Sequence, residues 1–177
     1  YPGVDFRKFS NIVPEDGDYF LVITRLASWK KVDLAIEACE ELKVKLKIIG
    51  EGPDLNRLKS ISGDFVEFLG YVSEEEKTEV IRKCKAVIIT QKEDFGLVPL
   101  EAMACGKPVI AFKKGGATET VVQGKTGEFF EEQTSFSLKN LLSEFDSKKY
   151  FPNDCKNRAQ EFDKNIFEEE FRRLIVV

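Results

Sequence analysis

The chain has 177 residues, 42% of them hydrophobic and 33% charged, which is enough to build one domain with a sizeable core. Its 27 basic and 31 acidic residues give a net charge of −4, and this balance argues against a nucleic-acid-binding protein with a basic face. Because the chain contains no histidine, it cannot form within itself a Ser-His-Asp triad, a Cys-His pair or a histidine-ligated metal site.

From residue 19 to residue 130, short apolar segments alternate with amphipathic ones. The first apolar segment, residues 19–24, is too uniformly hydrophobic for a strand with one wet face and is typical of a parallel strand buried on both faces. Ser73 and Glu76 form a capping box at the start of one amphipathic segment. In chain order, the pattern predicts strand 19–24, helix 31–42, strand 46–49, helix 53–61, strand 65–69, helix 73–83, strand 86–90, helix 98–104, strand 108–111, helix 118–122 and strand 128–130.

This alternation predicts an α/β fold with a doubly wound parallel sheet and helices on both faces. Ligands of such sheets bind at the carboxyl ends of the strands, so the loops that directly follow strands are the candidate binding loops. From residue 134 onward helices are expected to dominate. Their apolar contacts are expected to come from Phe162, Ile166, Phe167, Phe171 and Leu174.

Residues 1–15 are expected to be an interdomain linker and residues 16–177 one domain. The first residues are turn-forming and lack an initiator methionine, which indicates a piece of a longer protein. The four cysteines form no C-x-x-C pair and are expected to be free thiols in a reducing, cytoplasmic compartment. The longest apolar runs, such as 86–89, are too short to span a bilayer.

Three glycine-containing turns begin like phosphate-binding motifs without completing one. Residues 50–52 follow a predicted strand, but Leu55 occupies the position of the third glycine of a dinucleotide-binding motif. The turns at 106–107 and 124–126 both lack the first glycine of a P-loop. The sequence therefore argues against both kinds of phosphate-binding loop.

Two cations follow the first predicted strand. Arg25 stands at its end, and Lys30 stands five residues later at the entrance to the first helix. Cations beside a helix N-terminus can hold a diphosphate, although two solvated surface cations would give the same pattern.

Two carboxylates follow the fourth predicted strand. Glu93 is expected in the loop and Glu101 in the first turn of the next helix. A favourable interaction with the helix dipole would by itself explain a carboxylate at position 101. Gly96 would allow its own backbone amide and those of Leu97 and Val98 to approach a ligand closely.

Taken together, these residues resemble the donor-binding half of retaining GT-B-fold glycosyltransferases of family four. The most specific element is the E-x7-E signature from Glu93 to Glu101, which is followed by a matching segment at 102–111. Two positions depart from the family pattern, because Thr24 and Lys31 stand where glycine is common. The other matching segments, in order, are 1–9, 23–38, 48–53, 66–72, 115–119 and 124–127.

The resemblance implies a role for each matching residue. Arg25 and Lys30 would contact the donor diphosphate, Glu93 would lie near the transferred sugar, and Glu101 would hydrogen-bond the ribose diol. Arg25, Lys30 and Glu93 are thereby the catalytic candidates. Further donor contacts are implied for Gly50, Gly52, Gly70, Tyr71, Val72, Phe95, Gly96, Leu97 and Val98.

The resemblance also implies a function and its partners. The chain would be a Rossmann-like, metal-independent donor-binding domain of a hexosyltransferase that needs no cofactor. It would bind a GDP- or UDP-hexose, with GDP-mannose as the preferred donor. It would work with its own N-terminal domain on a glycan or lipid-linked acceptor. The full-length enzyme could also associate with the inner face of the membrane. The alternatives are a sugar-nucleotide epimerase, a glycogen-synthase-like chain elongator and a non-catalytic nucleotide-binding module.

Overall fold

The computed structural model describes residues 3–9, 11–166, 168 and 172. Within them, six strands form one sheet in which every pair is parallel, with the order β3-β2-β1-β4-β5-β6. The strands are β1 (Tyr19–Ile23), β2 (Lys45–Ile49), β3 (Val66–Gly70), β4 (Val87–Ile89), β5 (Val109–Phe112) and β6 (Gly127–Phe130).

Seven α-helices of the described residues connect or follow these strands. They are α1 (Val32–Leu42), α2 (Leu55–Ser60), α3 (Glu74–Arg82), α4 (Leu97–Ala104), α5 (Ala117–Thr120), α6 (Ser135–Glu144) and α7 (Pro152–Gln160). Each predicted strand and helix is confirmed, with ends that differ by at most two residues. The capping box of α3 is also confirmed, since Ser73 and Glu76 each bond the other's backbone N–H.

The sheet is buried on both faces because alternate strand residues enter two separate cores. In β1, Leu21 enters one core and Phe20 the other. The first core is filled from α3, α4, α5 and α7, and the second from α1, α2 and α6. This arrangement confirms the doubly wound α/β fold and explains why β1 is apolar throughout.

The strand order creates a crevice between β1 and β4. The loop after β1 leads to α1 on one face of the sheet, whereas the loop after β4 leads to α4 on the other face. The two loops therefore diverge at the carboxyl ends of neighbouring strands. A doubly wound sheet binds its ligands at such a switch point.

The described ends of the chain pack onto this domain. Val4 and Phe9 are buried, and Val4 forms a parallel bridge with Asp163. Phe162 packs against the core as expected, whereas Ile166 is 41% exposed and belongs to neither core. The expected contacts of Phe167, Phe171 and Leu174 lie outside the described residues.

All four cysteines are buried free thiols, which confirms the expectation that they form no disulfide. Burial raises the pKa of the Cys39 thiol, on the inner face of α1, to about 12. No helix among the described residues is long and apolar enough to cross a membrane.

Candidate functional site

The loop after β1 presents two cations at the crevice. β1 ends at Ile23, so that Arg25 lies two residues beyond the strand, exposed and without an ion pair to the described residues. Lys30 is the last residue of a 3-10 turn, Ser28–Lys30. Lys31 then adopts a left-handed conformation, with φ 54° and ψ 36°, before α1 begins. Glycine adopts this conformation with less strain than lysine does.

The ammonium group of Lys30 crosses the crevice to the loop after β4. Its Nζ lies 2.6 Å from Oε1 of Glu93, and the two side chains are only 12% and 21% exposed. The side-chain amide of Gln91 donates to the same oxygen. The hydroxyl of Thr90 donates to the backbone carbonyl of Lys30 at 2.7 Å. Both the backbone and the side chain of Lys30 are thus held by the end of β4.

The backbone of Glu93 is held by a glycine pair in the loop after β5. The Gly116 N–H donates to the Glu93 carbonyl at 2.7 Å. Gly115 has φ 73°, and a Cβ there would lie 2.1 Å from the same carbonyl oxygen. Only glycine fits such an approach, so the Gly115-Gly116 sequence was a readable sign of this close packing.

The second carboxylate of the E-x7-E signature lies deeper along α4. Because α4 begins at Leu97, Glu101 is in the second turn and not, as expected, in the first. The field of a helix terminus falls off within its first turn, so the helix dipole does not account for this carboxylate. Both oxygens of Glu101 lie 3.1 Å from Nζ of Lys77 in α3.

Lys77 is shielded from solvent and shared between two acids. Its side chain is 13% exposed, and its Nζ also lies 2.9 Å from Oε2 of Glu74. Burial lowers the pKa of Lys77, but hydrogen bonds and charge attraction from Glu74 and Glu101 raise it more, so that the net shift is upward. Lys77 therefore stays protonated at neutral pH.

The start of α4 also faces the crevice. Gly96, with φ 72°, is the N-cap residue of α4, and because α4 follows β4 its N-terminus, with its unbonded backbone N–H groups, lies at the carboxyl edge of the sheet. Leu97 is 44% exposed there, and Val98 is partly buried against the core. Phe95 also packs against the core, with its ring 6.4 Å from that of Phe162.

The profile of the family "Glycosyl transferases group 1" matches residues 4–162 of this chain. The chain belongs to this glycosyltransferase family. An uncharacterized glycosyltransferase of Methanocaldococcus jannaschii is 30% identical over 173 residues, covering 94% of this chain and 48% of that protein. The human alpha-1,3/1,6-mannosyltransferase ALG2 is 31% identical over 160 residues, covering 72% of this chain and 38% of that protein.

The fold is shared with solved glycosyltransferase structures. The crystal structure of Anabaena HepE in complex with UDP-glucose superposes with a TM-score of 0.83 and 25% identity, covering 99% of this chain and 56% of that chain. The chain spans less than half the length of the two curated relatives named above.

One glycine turn of this glycosyltransferase chain, at residues 50–52, lies against the loop after β1. A Cβ on Gly50 would lie 1.8 Å from the Thr24 carbonyl, and one on Gly52 would lie 2.1 Å from the Leu26 carbonyl. Only glycine permits this contact, so the turn at residues 50–52 lies beside Arg25 at the carboxyl edge.

The turn after β3 completes this edge. The Gly50 N–H donates to the Gly70 carbonyl at 2.9 Å. Beyond it, the Tyr71 side chain is 82% exposed, whereas Val72 packs partly against the core. The two turns for which donor contacts were expected, at residues 50–52 and 70–72, therefore share one end of the sheet with Lys30 and Glu93.

Four polar residues of this edge were missed by the sequence reasoning: Lys77, Thr90, Gln91 and Gln133. The Gln133 side chain donates to the Thr90 carbonyl at 3.0 Å and thereby ties the segment before α6 to the end of β4. Thr90 ends the predicted strand 86–90 and Gln91 follows it, so their position at the carboxyl end of that strand was an available signal. Lys77 and Gln133 gave no such signal. No cluster of three or more potential metal ligands occurs among the described residues.

Proposed function

We propose that this chain is the donor-binding domain of a retaining glycosyltransferase that moves a hexose from a nucleoside diphosphate sugar to a glycan or lipid acceptor. The observation that carries the proposal is the Lys30–Glu93 pair, which spans the switch point of the sheet with both side chains largely shielded from solvent. A shielded pair is costly to desolvate and contributes little to stability for that cost, which favours a functional reason for its position.

The cations suit the leaving group of the reaction. When the bond between the sugar carbon and the diphosphate oxygen breaks, negative charge develops on the departing diphosphate. Lys30, Arg25 and the N-terminal amides of α4 border the same crevice and would stabilise that charge without reorganising. Glu93 would accept hydrogen bonds from the hydroxyls of the transferred sugar while it holds Lys30 in position.

The nucleoside would lie farther along the same edge. In this proposal Glu101 accepts hydrogen bonds from the ribose hydroxyls, and the turns at Gly50–Gly52 and Gly70–Val72 flank the base. The first turn packs on the loop after β1 and is hydrogen-bonded to Gly70 of the second, which supports a continuous site. The exposed ring of Tyr71 is available for contact with a base.

For the donor we propose GDP-mannose first and UDP-glucose second. The human relative is a mannosyltransferase, which favours mannose, whereas the structure of HepE holds UDP-glucose. A thermal-shift panel of GDP-mannose, UDP-glucose and ADP-glucose tests the choice. At a concentration of about 100 times Kd, the matching donor should stabilise the chain by about 2.7 kcal/mol, or roughly 5–10 °C. A panel in which no nucleotide sugar shifts the melting temperature contradicts the proposal.

We further propose that the acceptor site and the remaining catalytic groups belong to an N-terminal domain. The share of the relatives that this chain covers supports that division. Transfer needs the donor and the acceptor held at reacting distance, so the 177-residue chain should bind a donor and show no turnover. EDTA should leave binding unchanged. Side-by-side assays of this chain and a two-domain protein test this, and equal turnover by both would contradict it.

A further inference from the structure

A second shielded ion pair of the crevice edge, Lys77–Glu101, has a geometry of its own. We propose that Lys77 is a positioning residue, which orients the Glu101 carboxylate so that it selects a ribose with both hydroxyls over a deoxyribose. This inference rests on the proposed function, because it concerns the nucleoside end of the proposed donor site.

The ammonium group of Lys77 is surrounded by carboxylate oxygens. An ammonium group has three N–H donors and no acceptor. The Nζ of Lys77 lies 3.1 Å from each oxygen of Glu101 and 2.9 Å from Oε2 of Glu74. Oε1 of Glu74 lies 3.1 Å away as well, so that four carboxylate oxygens share the three donors. Lys77 therefore has no donor left for a ligand, which favours an indirect role over a direct contact with the nucleotide.

The Glu101 carboxylate keeps free acceptor sites beside Lys77. An ionised carboxylate offers about four lone-pair sites, two on each oxygen. Lys77 donates to Oε1 and lies 3.1 Å from Oε2, so it takes at most one site on each oxygen and at least one site on each remains. Two neighbouring acceptors match the two adjacent hydroxyls of a ribose, whereas a 2′-deoxyribose would leave one of them without a partner. Leaving a buried polar group unpaired is how a site rejects an analogue that lacks a hydroxyl.

Lys77 also prevents the Glu101 carboxylate from rotating. The Glu101 side chain is 16% exposed and would otherwise be a poorly solvated charge free to rotate. Lys77 is held on α3 and Glu101 on α4, and both helices enter the same core through Ile81 and Leu100. Two packed helices therefore fix both ends of the pair, and the carboxylate is oriented before a ligand arrives.

The test compares GDP with 2′-deoxy-GDP, or UDP with 2′-deoxy-UDP if the donor panel selects uridine, by isothermal titration calorimetry. The wild-type chain should prefer the ribonucleotide by about tenfold. In Lys77→Met the ribonucleotide should bind about tenfold more weakly, while the deoxynucleotide changes less than about twofold, so that the preference is lost. Lys77→Gln should lose it as well, whereas Lys77→Arg, whose guanidinium can contact both carboxylate oxygens, should restore most of it.

A double-mutant cycle separates positioning from direct contact. In the Glu101→Gln background, adding Lys77→Met should weaken ribonucleotide binding by less than about twofold, because the group that Lys77 orients has lost its charge. Lys83→Met serves as the matched control, since Lys83 lies just beyond α3 and pairs with Glu79. It should leave both affinities unchanged. Unliganded melting temperatures of all variants identify any that fail to fold, for which Lys77→Gln replaces Lys77→Met.

Failure of this inference differs from failure of the proposed function. Equal weakening of both nucleotides by Lys77→Met and by Lys77→Gln, or additive effects in the cycle, would overturn the positioning role while nucleotide binding by the wild-type chain still stands. Absence of any nucleotide binding by the folded wild-type chain would overturn both.

Discussion

The two ends of the sheet carry the same kind of ion pair in different surroundings. At the carboxyl edge, the Lys30 and Glu93 side chains are 12% and 21% exposed. At the amino edge, the Lys45 and Asp18 side chains lie 2.5 Å apart but are 64% and 67% exposed. A shielded pair demands removal of water from two charges, whereas an exposed pair contributes about 0–1 kcal/mol and is screened by salt.

The contrast shows that the two ends of the sheet shield their charged side chains from solvent to different extents. The pair at the amino edge joins neighbouring strands β1 and β2 and is an ordinary surface contact. The pair at the carboxyl edge joins residues 63 positions apart across the switch point, and Glu93 also receives a hydrogen bond from Gln91. Costly placement at the end where doubly wound sheets bind ligands is what distinguishes a candidate site from a charged surface.

The largest expected effect is on diphosphate affinity. Lys30→Met should weaken GDP or UDP binding by about 30-fold, because a shielded cation contributes a strong charge-assisted hydrogen bond to phosphate. Lys45→Met, the matched control at the other end of the sheet, should change it by less than about twofold. Calorimetric titration measures both.

A nucleoside without phosphates tells a direct contact from a general loss of structure. Guanosine or uridine should bind the wild-type and Lys30→Met chains with equal affinity, because neither nucleoside carries a phosphate for Lys30 to contact. Equal losses for the nucleoside and its diphosphate would remove Lys30 from the diphosphate site and with it the functional half of the comparison.

The sheet itself was predictable because its signal is local. The central strands β1, β4 and β5 are buried on both faces and read as continuous apolar runs, and the Ser73–Glu76 capping box marks the start of α3. Glu101 was expected in the first turn and lies in the second because α4 begins at Leu97, one residue earlier than predicted. A residue's turn within a helix depends on the helix start, and the start is the least local feature of the pattern.

The contacts between charges were not predictable for a different reason. The sequence indicated Lys30 and Glu93 as separate site residues, but their contact follows from β1 and β4 being neighbours in the sheet, which alternation alone does not specify. The Lys77–Glu101 pair depends in addition on how α3 and α4 are rotated in their shared core. Such rotations are decided by packing, which no local pattern records.

A smaller effect is expected on stability. In urea unfolding, the coupling free energy between Lys30→Met and Glu93→Gln should be about 1–2 kcal/mol, because removing one partner leaves the other charge poorly solvated. The cycle of Lys45→Met with Asp18→Asn should give less than about 0.5 kcal/mol. Equal couplings at the two ends would show that the difference in exposure has no energetic consequence.

The smallest effect concerns acid stability at the amino edge. The hydrogen bond from Lys45 lowers the pKa of Asp18 below its ordinary value of 3.8, against the opposing effect of slight burial. Because the pKa is lower in the folded state, the unfolded chain binds more protons in acid. The stabilisation is therefore present above the unfolded pKa and is lost as the pH falls through the folded one. Asp18→Asn should make the free energy of unfolding slightly less steep in pH between about pH 2 and pH 5. Since both side chains are about two-thirds exposed, solvent screening should keep that change well below the slope of one full proton. A change as large as one proton would mean that exposure to solvent does not weaken the Lys45–Asp18 pair. Shielding would then no longer single out the candidate site.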